Sequence, residues 1–195
     1  MKTKTIFGIL FAVCLSVSTA CATNINFDQF TDSEILTTQI PGLTFSNTVI
    51  LTAGISLNEL ELPPHSSPNV VSDDGGPIQI LFATPITLFS GYFTYGVPLT
   101  VDAFSAGVLV ASDTSSFASN LGTSGNPGSS PNEFLEVMSS TAITRITIAG
   151  SPNGASFAMD DITYEQIATA VPEPAMYVLV LAILAIIFLR RSELA

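Results

Sequence analysis

Asp160 and Asp161 are the residues whose placement most needs a chemical explanation. Phe157 and Met159 share one face of a strand by period two, yet the next apolar residues, Ile162 and Tyr164, have the opposite parity. Either a β-bulge resets the phase, or Asp161 points at the apolar face, where a carboxylate needs a cation or hydrogen-bond donors. Arg145 is the only Lys or Arg between residues 23 and 169; a divalent cation is the other candidate. In a regular strand Asp160 and Asp161 point to opposite faces and cannot serve as a glycosidase acid pair. His65, the single histidine, stands beside Ser66 and Ser67 in a proline-rich stretch. Adjacency in sequence makes no triad, so it reads as a solvated loop histidine. Asp73-Asp74 before Gly75-Gly76 is a rival pair for a cation, though the pattern is also ordinary turn chemistry. The sequence has no phosphate-cradling glycine loop and no His/Cys metal cluster. A secreted hydrolase would need distant carboxylates such as Glu59, Glu61, Glu133 and Glu136 to converge in a cleft, and the expectation is a protein that is not an enzyme.

The elements that position these groups read as strands. From Asn24 onward, short runs rich in Val, Ile, Thr, Phe and Tyr are separated by Gly, Pro, Asn and Ser clusters, and helical periodicity never takes hold before the tail. Ile25 and Phe27 alternate first, followed by residues 43–45 and 49–52. Two loops, 63–69 and 72–77, come next. Ile78, Ile80 and Phe82 share a face, as do Phe89, Phe93 and Tyr95, and then Leu99, Val101 and Ala103. Gly91, Gly96 and Gly107 fall where bends or turns are needed. Residues 108–111, 133–138, 143–149 and 156–164 complete roughly nine to eleven strands, with a long polar surface loop over 112–132. This spacing predicts an all-β fold, an antiparallel two-sheet β-sandwich of jelly-roll type. The chain contains no Trp, so any stacking surface for a sugar falls to Tyr92, Tyr95, Phe117 and Phe134. Tyr92 lies on the face opposite Phe93 and Tyr95, which puts at least one of these aromatics outside.

Charge narrows the partners. The chain carries 16 acids against five Lys or Arg, a formal net charge of −11. Setting aside Glu173 and Glu193 leaves 14 acids in residues 23–169, with Arg145 as the only base, a net of −13. Such a surface repels nucleic-acid phosphates and anionic lipid heads. The acids serve either to keep an exported protein soluble or to hold a divalent cation.

The two ends read as addresses. Lys2 and Lys4, the apolar run 6–17 and Ala20-Cys21-Ala22 make a secretory signal peptide over residues 1–22, cleaved after Ala22. Cys21 as a lipoprotein cysteine is the alternative, although that signal wants an aliphatic residue where Ser18 stands. Cleavage after Ala22 removes both cysteines, and with them disulfide and thiolate chemistry. Residues 170–195 hold Pro172-Glu173-Pro174, the uncharged stretch 175–189, and Arg190-Arg191. As a helix that stretch spans about 22 Å, short of a roughly 30 Å hydrocarbon core, which suits a transient inner-membrane anchor with its C-terminus in the cytoplasm. An ordinary unprocessed C-terminal anchor is the plainer alternative.

The order Pro-Glu-Pro, apolar helix, Arg-Arg resembles the PEP-CTERM sorting signal of Gram-negative bacteria that make exopolysaccharide. The resemblance implies recognition by an exosortase-type transpeptidase, cleavage near Pro172-Glu173-Pro174, and delivery to the cell surface or the extracellular matrix of a biofilm. Residues 23–169 resemble, more loosely, the jelly-roll domains often found in front of this signal. The residues alike are Gly76-Pro77-Ile78 with Phe82 and Pro85, Tyr92-Phe93-Thr94-Tyr95, residues 130–134 and residues 156–162. Jelly rolls of the carbohydrate-binding type, to which this fold is similar, often hold a structural calcium between first and last strands. That resemblance implies a site from Asp28 with Asp160 or Asp161, alongside the plain alternative of a bulge with solvated acids. The expected role is an exported surface or matrix protein associated with polysaccharide, acting by binding or as structure, with a calcium-stabilised carbohydrate-binding module as the alternative.

Overall fold

The computed structural model describes residues 22–167 except Ser67. Expectations for Ala20, Pro172, Glu173, Pro174, Arg190 and Arg191 lie outside the described residues. Within them nine strands form: β1 (Ala22–Ile25), β2 (Leu43–Ser46), β3 (Thr48–Thr52), β4 (Asn69–Asp74), β5 (Ile78–Tyr95), β6 (Thr100–Ser105), β7 (Val108–Thr114), β8 (Glu133–Ala149) and β9 (Gly154–Gln166). No helix is present among the described residues, and every pairing between these strands is antiparallel.

Two long strands organise the rest. β8 follows one side of β5 from Ile78 to Phe93, while the other side is taken first by β2 and then, from Ile86, by β9. The change of neighbour falls around Pro85, where the register with β8 breaks between Leu81 and Ile86; a proline offers no ladder N–H, so a break there loses little. A second shift between Ile86 and Leu88 changes the inward parity from even to odd, which is why Ile78, Ile80, Phe82 and Ile86 are buried and so are Phe89, Phe93 and Tyr95. β8 makes the same passage, pairing β6 only through residues 145–149. The first set of strands runs β2-β5-β8-β6-β7 and the second β3-β4-β9-β5-β8, with β1 in line with β4 on β9. Strands that pass from one set to the other by bends are the corners of a sandwich. The inward side chains of both sets form one core cluster, each large member contributing roughly 1.5–3 kcal/mol by burial.

Several sequence boundaries shift. The stretch read as two separate faces, 78–82 and 89–95, is one bent strand, and so is 133–149. The 72–77 loop is shorter than expected because Val70 to Asp74 belong to β4, paired with both β3 and β9. Gly91 makes no turn. It lies within β5, where an added Cβ would meet Ile162 Cγ2 at 3.2 Å and the Phe93 ring at 3.4 Å.

Candidate functional site

The parity break at Asp160-Asp161 is a bulge. Ser90 pairs with Thr163 and Tyr92 with Asp160, so two residues of β9, Asp161 and Ile162, stand opposite the single Gly91. Asp161 takes φ 45°, a left-handed conformation that Asp tolerates better than most residues. Ile162 and Tyr164 thereby return to the core beside Phe157 and Met159, and Gly91 leaves room for Ile162. The bulge also brings both carboxylates to the same loop. This corrects the expectation that neighbours in the strand must face apart.

That loop is held by the pair. The His65 and Ser66 amides donate to Asp160 Oδ2 at 2.9 and 2.8 Å, and the Asp161 amide donates to Asp160 Oδ1 at 2.8 Å. Asp161 takes the side chains instead: His65 Nδ1 lies 2.6 Å from Oδ2, and Ser66 Oγ donates to Oδ1 at 2.9 Å. His65 lies exposed in its loop, and its ring also stacks on Tyr92, 3.5 Å between centroids and 7° from parallel. Ser66 is spent on Asp161 and not on the imidazole, so the three residues do not form a nucleophile-base relay.

Asp160 is 1 % exposed. Burial pushes its carboxyl up to about 6, while the amides of Ser66, Asp161 and His65 pull the other way and the Asp161 charge adds to the rise. Its folded value therefore lies above its unfolded one. Between about pH 4 and pH 6 the folded protein keeps a proton the unfolded chain has lost, so the group's contribution is fully present below that window and is lost as pH rises through it. The effect is at most on the order of 3 kcal/mol. Urea unfolding should show the wild type's advantage over Asp160→Asn larger at pH 4 than at pH 7; a constant advantage would contradict this.

Beside the clamp lies an outward aromatic row. Tyr92 pairs across strands with Phe134, centroids 5.4 Å apart, and Phe134 is 50 % exposed. Tyr92, half-buried, therefore sits between Phe134 and the His65 ring. The other expected platforms are elsewhere. Tyr95 is wholly buried and donates its hydroxyl to Glu133, with burial and that carboxylate pushing its pKa up to about 12. Phe117 packs against the core, its amide on the Tyr95 hydroxyl. Tyr95 offers no free face, and Phe117 is half-buried.

The residues named for calcium are divided. Asp28 accepts the Asn69 amide at 3.2 Å and the Asn26 side-chain amide at 3.0 Å, while both Asp160 oxygens face N–H donors. Among the described residues no three His, Cys, Asp or Glu side chains form a group able to hold a metal ion. Arg145 does not partner Asp161 either; its guanidinium lies 4.3 Å over the Phe104 ring.

Three further polar anchors escaped the sequence reading. Asp73, buried in β4, accepts the Ser156 and Phe157 amides and the Ser156 hydroxyl. Asn120, 0 % exposed, accepts the Tyr95 amide at 2.6 Å and donates to the Phe93 and Ser130 carbonyls at 2.9 and 3.1 Å. Glu61 gathers the Thr123 and Ser124 amides and hydroxyls, and the Thr123 hydroxyl chiefly holds its carboxyl below the usual range. Glu61 also borders a cleft of about 440 Å³ with Leu121 and Ser156, but its carboxylate is already occupied there.

No protein-family model matches the chain, and no curated protein matches it. Among solved structures, the K2 cleaved adhesin domain of Lys-gingipain is similar at 16 % identity and TM-score 0.47, covering 74 % of this chain and 99 % of that one. A Stig cyclase from Fischerella sp. TAU is similar at 11 % identity and TM-score 0.45, covering 73 % and 93 %. CsCBM6-3 from Clostridium stercorarium, in complex with cellobiose, is similar at 13 % identity and TM-score 0.33, covering 74 % and 94 %.

Proposed function

We propose that this protein is an exported surface module that holds extracellular polysaccharide without altering it. The observation that carries the reading is the Tyr92–Phe134 pair, kept outside the core on a rigid sheet and backed by the His65 ring. Flat rings bind the apolar faces of sugars. The fold within this reading is a jelly roll. The leader over 1–22 and the tail with Pro172-Glu173-Pro174 and Arg190-Arg191 support export, a transient inner-membrane stay and release to the surface by an exosortase-type transpeptidase.

Co-sedimentation with the producing cell's own exopolysaccharide tests the reading. The full chain, purified in mild detergent, is expected to pellet with the polymer equally with calcium and with chelator. Protein left in the supernatant under both conditions would reject polysaccharide binding.

A further inference from the structure

We propose that the outer face of the β9-β5-β8 sheet takes a glycan bearing free amino groups; this rests on the polysaccharide reading and names its ligand class. Strand pairing arranges that face in three rows. The first is aromatic and acidic, Phe134, Tyr92 and Asp160 with the bulged Asp161 beside it. In the second, Ser90 lies between Glu136 and Thr163, and in the third Leu88 lies between Met138 and Glu165. At two residues per row the strip is roughly 14 Å long along the strands.

What a ligand would meet there is a surplus of acceptors. The Glu136 and Glu165 carboxylates take no hydrogen bond from the described residues, and the pairing sets them roughly 10 Å apart across the sheet and 7 Å along it. Between them the Ser90 hydroxyl also has no hydrogen-bond partner among the described residues, although the residue is only 3 % exposed. Its Oγ is not sealed off, since among the described residues Arg145 Nε is the buried side-chain nitrogen or oxygen without a partner, so on this face the hydroxyl is available to a ligand. No Lys or Arg belongs to this face: Arg145 is engaged with Phe104. With 14 acids against one base in residues 23–169, acidic glycans are repelled, and ammonium groups spaced along a sugar chain satisfy both carboxylates while the rings rest on Tyr92 and Phe134.

The test compares a glucosamine oligomer, a neutral gluco-oligomer of the same length and an oligouronate, each titrated into the full chain in nonionic detergent. The amino oligomer is expected to bind about tenfold tighter than the neutral one, with no binding of the oligouronate. The Glu136→Gln, Glu165→Gln double variant is expected to lose that preference, the amino and neutral oligomers then binding alike. Equal affinity for all three oligomers, or a preference that survives in the double variant, overturns the inference. So does amino-oligomer binding that survives Tyr92→Ala with Phe134→Ala, since whole-domain charge then suffices. Failure of all three oligomers while the native polymer still co-sediments removes the amino-glycan inference alone; failure of the native polymer as well removes the polysaccharide reading with it.

Discussion

Asp160→Ala is expected to destabilise the domain by about 3–5 kcal/mol at neutral pH. The substitution removes the acceptor of three amides at once, those of His65, Ser66 and Asp161, in a place where the residue is 1 % exposed. Each buried donor left without a partner costs about 1–3 kcal/mol, and water reaching the opened loop recovers part of it. Asp160 joins two segments 95 residues apart in sequence, so losing it also releases His65 and Ser66. Urea unfolding should give a lower midpoint with little change in slope, and the His65 and Ser66 amides should exchange faster than those of the core strands. Asp160→Asn keeps the shape but offers one acceptor oxygen in place of two, so it should fall between wild type and Ala. An Ala variant as stable as the wild type would contradict the clamp.

Asn120→Ala is expected to cost about 3 kcal/mol and to free the long 115–132 loop. Its side chain bonds the Tyr95 amide and the Phe93 carbonyl at the end of β5, and the Ser130 carbonyl within the loop, all out of water. The Asn120 amide also reaches the Tyr95 carbonyl at 3.0 Å, so the residue continues the β5 ladder with a side chain. Asn120→Asp keeps the acceptor for Tyr95 but loses both donations, and should destabilise nearly as much. Proteolysis within residues 115–132 is expected to speed up in both variants; an unchanged cleavage rate would show that Glu61 and Glu133 hold the loop without Asn120.

Much of this arrangement was legible in the residue pattern, for definite reasons. Period two set Tyr92 on the face opposite Phe93 and Tyr95 but could not say which face is the core; Tyr95, expected as a stacking candidate, lies inside with Phe93. The parity break between Met159 and Ile162 marked the bulge, but choosing between a bulge and an inward Asp161 required knowing that Gly91 stands opposite. Period two could not tell a bent strand from two strands, because β5 changes parity by register shifts around Ile86 while staying continuous. β4 was read as a turn because Ser72, Asp73 and Asp74 look like turn residues. Asp73 is a strand residue here because the Ser156 and Phe157 amides meet its carboxylate, and partners 83 residues away leave no local mark. The partners of His65 left no mark for the same reason: its loop is polar and proline-rich, and both come from distant strands. The calcium expectation joined Asp28 to Asp160 and Asp161 by the nearness of first and last strands. β1 does pair β9; Asp28 and Asp160 accept amide N–H groups there, and Asp161 takes the His65 ring nitrogen and the Ser66 hydroxyl.

The central claim is that the outward aromatic pair binds polysaccharide, and substitution of that pair tests it most directly. Tyr92→Ala with Phe134→Ala removes the stacking surface but no fully buried core side chain, so the fold should persist. In co-sedimentation with the native exopolysaccharide, affinity is expected to fall by about a hundredfold, two stacking contacts at roughly 1.4 kcal/mol each. A folded double variant that pellets with the polymer as well as the wild type would contradict the account.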